Sequence, residues 1–134
     1  MEWIERRIHT NSDYLEGLIS SPQHRFDSRL RSLLPEKPGI YRILASSSHE
    51  TLRAGTTISS NNLRQRVYQN HFMGTQSGNI RSQLVKGGMC KDLDEAKGFL
   101  KNFCTVQWIV IEDDQERKWA EHFVLAILQP TFGD

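Results

Sequence analysis

Apolar residues recur at helical spacing in the first part of this 134-residue chain. They predict two short helices, over residues 11–20 and 26–34, because each segment presents one apolar face. Pro35 and Pro38 follow, and a proline lacks the amide hydrogen that a continuing helix needs. The sequence therefore predicts a boundary after the second helix.

Three later segments are rich in β-branched and aromatic residues. Residues 39–44 and 51–56 surround a polar loop and predict a β-hairpin, and residues 105–111 predict a third strand. The rest of the chain has helical patterns. These predict a helix that opens at a polar N-cap residue within 59–62 and runs toward Phe72, and further helices over 79–85, 93–103 and 114–128.

The order of these elements indicates the fold class. Three strands with helices between and around them are typical of an α/β or α+β domain, in which a small sheet buries its apolar side chains against helices. We expect residues 1–35 to form an N-terminal helical extension and residues 36–134 to form the main domain.

The composition argues against a membrane protein. No apolar run approaches the roughly 18 residues that cross a bilayer, and residues 1–10 carry charges where a signal peptide has its apolar centre. Cys90 and Cys104 match no metal-site spacing and are too few for a disulfide framework. We therefore expect a soluble, cytoplasmic protein with inert thiols and no membrane partner.

Charge is segregated along the chain, although the formal net charge is only +1. Residues 51–91 contain six basic residues and no acidic one, whereas the other segments together contain eleven basic and sixteen acidic residues. A polyanion would be attracted to the middle segment. The alternative is a chance cluster of charges on a solvated face.

Tyr41, Arg66 and His71 are candidate catalytic residues. Tyr41 lies in the first strand of the hairpin, where a tyrosine is more often a packing residue than a reactive one. Arg66 and His71 fall on the two margins of the apolar stripe of the next helix. Both can reach a cleft beside the sheet from there.

Glu121 is a candidate metal ligand. It lies among the apolar residues of the last predicted helix, where an unpaired carboxylate is costly and requires a cation, a proton or a metal. The alternatives are a salt bridge to Arg117 or Lys118 and a simple position at the helix edge.

Four separated motifs together resemble the GIY-YIG nuclease superfamily. Gly-Ile-Tyr at residues 39–41 precedes Arg-Ala-Gly at 53–55, a Leu-x-x-Arg motif ends at Arg66, and Glu121 lies in the last helix. The resemblance covers residues 38–133. It implies a small three-stranded antiparallel sheet flanked by helices, and divalent-metal-dependent cleavage of DNA.

The resemblance also implies a role for each candidate residue. Tyr41 resembles the general base or proton shuttle for the attacking water, and Arg66 resembles the arginine that holds the scissile phosphate. Arg53 stands where the family usually has a tyrosine and would contact the phosphate as a cation. His71 lies close to the position of a catalytic histidine in some members. Glu121 would be the single carboxylate ligand of Mg²⁺ or Mn²⁺.

The predicted partner is DNA, and the sequence does not separate DNA from RNA. A homodimer would be one route to cutting both strands. Further nucleic-acid contacts are expected from four polar residues of the middle segment, which are Arg64, Asn70, Arg81 and Lys86.

Two other functions compete with an endonuclease. Arg53 in the second motif, and Phe132 and Gly133 where the family commonly has tyrosine and asparagine, favour a noncatalytic nucleic-acid-binding module that retains the fold. A structural or interaction protein would instead use the same polar residues as a buried network. Such a protein would have no salt-dependent affinity for DNA.

Overall fold

The computed structural model describes residues 1–58 and 60–133, so Ser59, one of the predicted N-cap candidates, and Asp134 lie outside the described residues. The strands are β1 (His24–Arg25), β2 (Gly39–Ala45), β3 (Thr51–Thr56) and β4 (Cys104–Val110). The α-helices are α1 (Glu2–Ser20), α2 (Leu30–Leu33), α3 (Ile80–Lys86), α4 (Leu93–Phe103) and α5 (Asp114–Leu128), and a π-helix, Arg64–Phe72, follows β3. Each element predicted beyond residue 38 is therefore present.

The strands form one antiparallel sheet in the order β1-β4-β2-β3. In the central strand β2, Tyr41 lies opposite Gly55 of β3 and opposite Trp108 of β4. The three predicted strands are joined by a fourth, because His24 and Arg25 pair with the outer edge of β4. A strand of two residues is too short to show the alternation from which strands are predicted.

Helices cover both faces of this α+β sheet. Successive side chains of a strand point to opposite faces. Tyr41 and Ile43 therefore pack with the π-helix, α3 and α4, whereas Ile40 packs with α1 and α5. Ala120 and Val124 of α5 close the second face. The two buried clusters give the sheet a core on each side.

The two N-terminal helices differ from their predicted bounds. α1 begins at Glu2 rather than at residue 11, and its first turn is acidic, which suits the positive end of the helix dipole. Little apolar surface is buried there, so apolar periodicity did not reveal it. α2 is a single turn, Leu30–Leu33. The N-terminal segment nevertheless supplies β1 and the buried core residues Leu18 and Phe26.

The helix after β3 is wound more loosely than an α-helix. At its carboxyl end the Met73 amide donates to the Tyr68 carbonyl oxygen, five residues earlier, at 2.9 Å. At its amino end the Gln65 amide donates to Oδ1 of Asn62, a predicted N-cap residue, at 2.9 Å. π-Helices are rare and are found frequently at functional sites.

No helix among the described residues is both long and apolar enough to cross a membrane. Cys90 and Cys104 are free and buried. Burial raises the pKa of the Cys104 thiol to about 12, with a smaller contribution from Cys90. A thiol in this state is protonated at neutral pH and is a poor nucleophile.

Gly39 provides a test of the packing around β2. A Cβ atom there would collide with the Ile109 carbonyl oxygen and lie 2.8 Å from Cδ1 of Leu63. We expect Gly39→Ala to lower the free energy of unfolding in urea by about 1–3 kcal/mol, because backbone and core side chain must both shift.

The matched control is Gly98→Ala, in the interior of α4, where an added Cβ atom meets no atom within 4 Å. Alanine should raise the free energy of unfolding by about 0.5–1 kcal/mol, because glycine is a poor helix former. Equal effects of the two substitutions would contradict this packing.

Candidate active site

Tyr41 lies in the middle of β2, with its side chain completely buried. The phenol ring lies over Gly55 of the neighbouring strand, where a Cβ atom would be only 2.8 Å from the Tyr41 hydroxyl oxygen. Glycine in a strand often marks such a close approach. The glycine of the second motif therefore makes space for the tyrosine of the first.

His71 of the π-helix fixes the Tyr41 hydroxyl. The Nε2 atom of His71 lies 2.7 Å from the Tyr41 hydroxyl oxygen, and its Nδ1 atom accepts a hydrogen bond from the Ile80 amide at 3.0 Å. A nitrogen that accepts from an amide carries no proton, so the proton of the neutral ring is on Nε2. His71 therefore donates to Tyr41, whose oxygen is the acceptor.

The imidazole of His71 is held in its neutral form. Burial is the main cause that lowers its pKa well below 6.5, and the positive charges of Arg66 and Arg53 lower the pKa further. Both arginines are therefore close enough to act on the Tyr41–His71 pair.

π-Helical winding brings Arg66 and His71 to one side of the helix. Two residues five positions apart are about 140° apart around an α-helix. A helix whose hydrogen bonds join residues five apart stacks them nearly above each other. The sequence predicted that Arg66 and His71 lie on the two margins of the apolar stripe of an α-helix. In the π-helix both residues lie on the side that faces Tyr41.

Arg53 and Arg66 line one cleft of about 280 Å³, together with Asn70 and the loop that precedes α3. Arg53 is buried, and its Nη1 atom donates to the Gly78 carbonyl oxygen at 2.8 Å and to Oε1 of Gln83 at 2.5 Å. It is thereby held in one orientation in the cleft wall.

Arg66 is half-buried, and the hydrogen bonding of its guanidinium differs from that of Arg53. Within residues 1–58 and 60–133, no group forms a hydrogen bond or an ion pair with its guanidinium. A guanidinium at the mouth of a polar cleft is suited to bind a phosphate or carboxylate through two parallel hydrogen bonds. The cleft is therefore a candidate anion site.

Asn79 lines the cleft and Gln83 accepts a hydrogen bond from Arg53, and neither was among the predicted site residues. Asn79 donates from Nδ2 to the carbonyl oxygens of Asn70 and Gly74 at 2.9 and 3.0 Å, and its Oδ1 atom caps α3. The loop is thus tied to the end of the π-helix. The predicted start of a helix at residue 79 indicated the cap, but no sequence signal indicated Gln83.

Glu121 lies on α5, half-buried beside Ala120, whose side chain packs on the α1 and α5 face of the sheet. Arg117, one of the alternative partners, forms an ion pair with Asp114 at 2.6 Å. No group of three or more His, Cys, Asp or Glu side chains that could hold a metal occurs among the described residues. A single carboxylate fits only an ion that keeps most of its waters, which is common for Mg²⁺.

Other basic residues of the middle segment have structural partners. Arg64 donates to the Leu34 carbonyl oxygen at 3.0 Å and pairs with Glu36 at 2.8 Å. Arg81 is buried and donates to three backbone carbonyl oxygens. Lys86 is exposed in the last turn of α3. The outward positive charge of the segment is therefore smaller than the sequence indicates.

A comparison with protein-family models and a search of curated proteins found no match for this chain. The class that the structure defines is an α+β domain with a four-stranded antiparallel sheet and a Tyr-His pair beside two arginines. Membership of the GIY-YIG superfamily stays a prediction that rests on the four motifs.

The neutrality of His71 predicts a pH dependence of stability. Its pKa is lower in the folded protein than the ordinary 6.5, so below that pH the unfolded chain binds a proton that the folded protein does not. The stabilisation is complete above pH 6.5 and is lost as the pH falls. The free energy of unfolding should fall by up to about 1.4 kcal/mol per pH unit.

Urea unfolding of the wild type and of His71→Gln at pH 7.5, 6.5 and 5.5 measures this effect, since the other histidines are common to both proteins. The difference between the two curves should shrink as the pH falls. Nitrogen-15 NMR of the wild type should also show Nδ1 unprotonated and Nε2 protonated. Parallel pH curves, or an imidazolium signal from His71 at pH 6, would contradict the assignment.

Proposed function

We propose that this chain is a metal-dependent endonuclease that hydrolyses phosphodiester bonds in DNA through a GIY-YIG-type site. The observation that carries the proposal is the hydrogen bond from His71 to the Tyr41 hydroxyl oxygen, next to a cleft that Arg53 and Arg66 line. A proton acceptor and an anion site in one place are the two parts that hydrolysis of a phosphodiester requires.

Each residue has a distinct task in the proposed reaction. Arg66 binds a nonbridging oxygen of the scissile phosphate and offsets the negative charge that develops on it. Tyr41 takes the proton of the attacking water. A phenol is a weak base at neutral pH, and in the proposed reaction the hydrogen bond from neutral His71 and the charge of Arg53 would offset the cost of a buried phenolate. His71 is a positioning residue because it acts through Tyr41.

Glu121 is the proposed ligand of Mg²⁺ or Mn²⁺, bound mainly through its own waters. The ion would supply additional positive charge at the phosphate. Because Tyr41 is completely buried, substrate binding has to displace the side chains that cover it. The hydrogen-bonded loop between the π-helix and α3, which carries Gly78, lines the cleft together with Arg66.

A noncatalytic nucleic-acid-binding module is the second candidate, and burial is the observation that favours it. Tyr41 and His71 have no exposed surface, and the Nη1 atom of Arg53 donates to a carbonyl oxygen and an amide oxygen of the protein. Arg66 alone could then bind a phosphate without any cleavage. The two candidates make different predictions for the same variants.

A plasmid-nicking assay with Mg²⁺ or Mn²⁺ tests the proposal. Tyr41→Phe keeps the ring and removes the hydroxyl, and it should slow nicking by about 100-fold or more, which is typical for loss of a general base. Glu121→Gln and a chelator should each abolish nicking. Arg66→Gln should slow nicking and weaken DNA binding, because its guanidinium contacts the phosphate.

Arg31→Gln is the matched control, because Arg31 is an exposed arginine of α2 outside the cleft. It should nick like the wild type, and circular dichroism should show that every variant is folded. A wild type that binds DNA and never nicks it would establish the binding module. A wild type with no salt-dependent affinity for DNA would leave only a buried polar network.

A further inference from the structure

The first turns of α1 extend beyond the packed core. Tyr14 and Leu18 of this helix contact the second core cluster, and the same stripe continues toward the amino terminus as Trp3. Residues 1–10 are exposed except for the half-buried Ile4. This part of the helix therefore presents a tryptophan that the domain itself does not cover.

A groove of about 400 Å³ lies between these turns and the start of α5. Trp3 and Trp119 line it from the two helices and are 53% and 54% exposed. Arg6 and Arg7 also line the groove, and the Arg7 guanidinium lies 4.9 Å from the centre of the Trp3 ring. Two accessible indole rings and two cations thus share one surface, which we call the tryptophan groove.

The charge of the tryptophan groove is positive. Neither arginine has an ion-pair partner among the described residues. The only described acidic residue that lines the groove is Glu116, and its carboxylate accepts a hydrogen bond from the Tyr14 hydroxyl at 3.0 Å. Glu2 and Glu5 lie on the same helix but line a neighbouring surface. A polyanion complements this arrangement.

We propose that the tryptophan groove binds unpaired bases of a single-stranded nucleic acid. Bases would stack on the indole rings of Trp3 and Trp119, and the phosphates would pair with Arg6 and Arg7. A duplex hides the faces of its bases, so stacking selects the single-stranded form. A second copy of the chain fits less well, because a symmetric contact would place like-charged arginines against each other.

This binding is independent of the proposed cleavage. The tryptophan groove is lined by α1 and the start of α5, and its lining residues include none of the proposed site residues Tyr41, Arg66, His71 and Glu121. Tyr41→Phe should therefore slow nicking and leave the affinity for single-stranded DNA unchanged. Failure of the nuclease proposal and failure of this one give different results.

Fluorescence anisotropy with a labelled oligo(dT) of about 12 nucleotides, a length typical of single-strand sites, tests the inference in the presence of a chelator. Trp3→Ala and Trp119→Ala should each weaken binding by about fivefold or more, the loss typical of one stacked base. Arg7→Gln should weaken binding and reduce the slope of log affinity against log salt by about 0.7.

Two matched controls lie outside the tryptophan groove. Ile8→Ala removes an exposed apolar side chain of the same helix, and Arg31→Gln removes an exposed arginine elsewhere, so both should bind like the wild type. Tryptophan variants that bind oligo(dT) like the wild type would overturn the inference, as would tryptophan variants that lose as much affinity for a duplex as for oligo(dT). Sedimentation that shows a dimer lost only in the tryptophan variants would assign the groove to a second copy.

Discussion

The neutral imidazole of His71 joins three elements of the first core. Through Nε2 it binds Tyr41 of β2, through Nδ1 it binds the first residue of α3, and its own backbone belongs to the π-helix. A protonated ring would lose the bond from the Ile80 amide and would place a third cation beside Arg53 and Arg66. The hydrogen bonds that join β2, the π-helix and α3 at this point therefore depend on this ring staying uncharged.

The π-helix explains how one short segment supplies both His71 and Arg66. Val67 and Phe72 are also five residues apart, and both are buried in the same cluster. The buried apolar pair and the polar pair therefore have the same spacing of five residues. The π-helical winding thus places the apolar pair in the core and the polar pair beside the cleft. An α-helix with the same sequence would turn either His71 or Arg66 away from β2.

The order of elements from residue 39 onward follows from apolar periodicity and turn residues, because burial of one face imposes a period on the sequence. The π-winding has no such signature, since the residue preferences of α- and π-helices overlap. The burial of Arg53 and Arg81 could not be predicted either. The sequence shows that both residues are charged, but it does not show the carbonyl oxygens that accept their hydrogen bonds. Tyr41 was found from its motif, and its hydrogen bond to His71 required the structure.

Arg81 is a basic residue of the middle segment whose charge is internal, and its role is to position the cleft. Its guanidinium donates to the carbonyl oxygens of Phe72, Gly74 and Leu93, and it has no carboxylate partner among the described residues. Carbonyl dipoles satisfy its hydrogen bonds but leave its charge in place. The Gly74 carbonyl oxygen also accepts a hydrogen bond from Nδ2 of Asn79, which lines the cleft. Arg81 therefore joins the end of the π-helix, the loop that lines the cleft and the start of α4, and it shares the Gly74 carbonyl oxygen with Asn79.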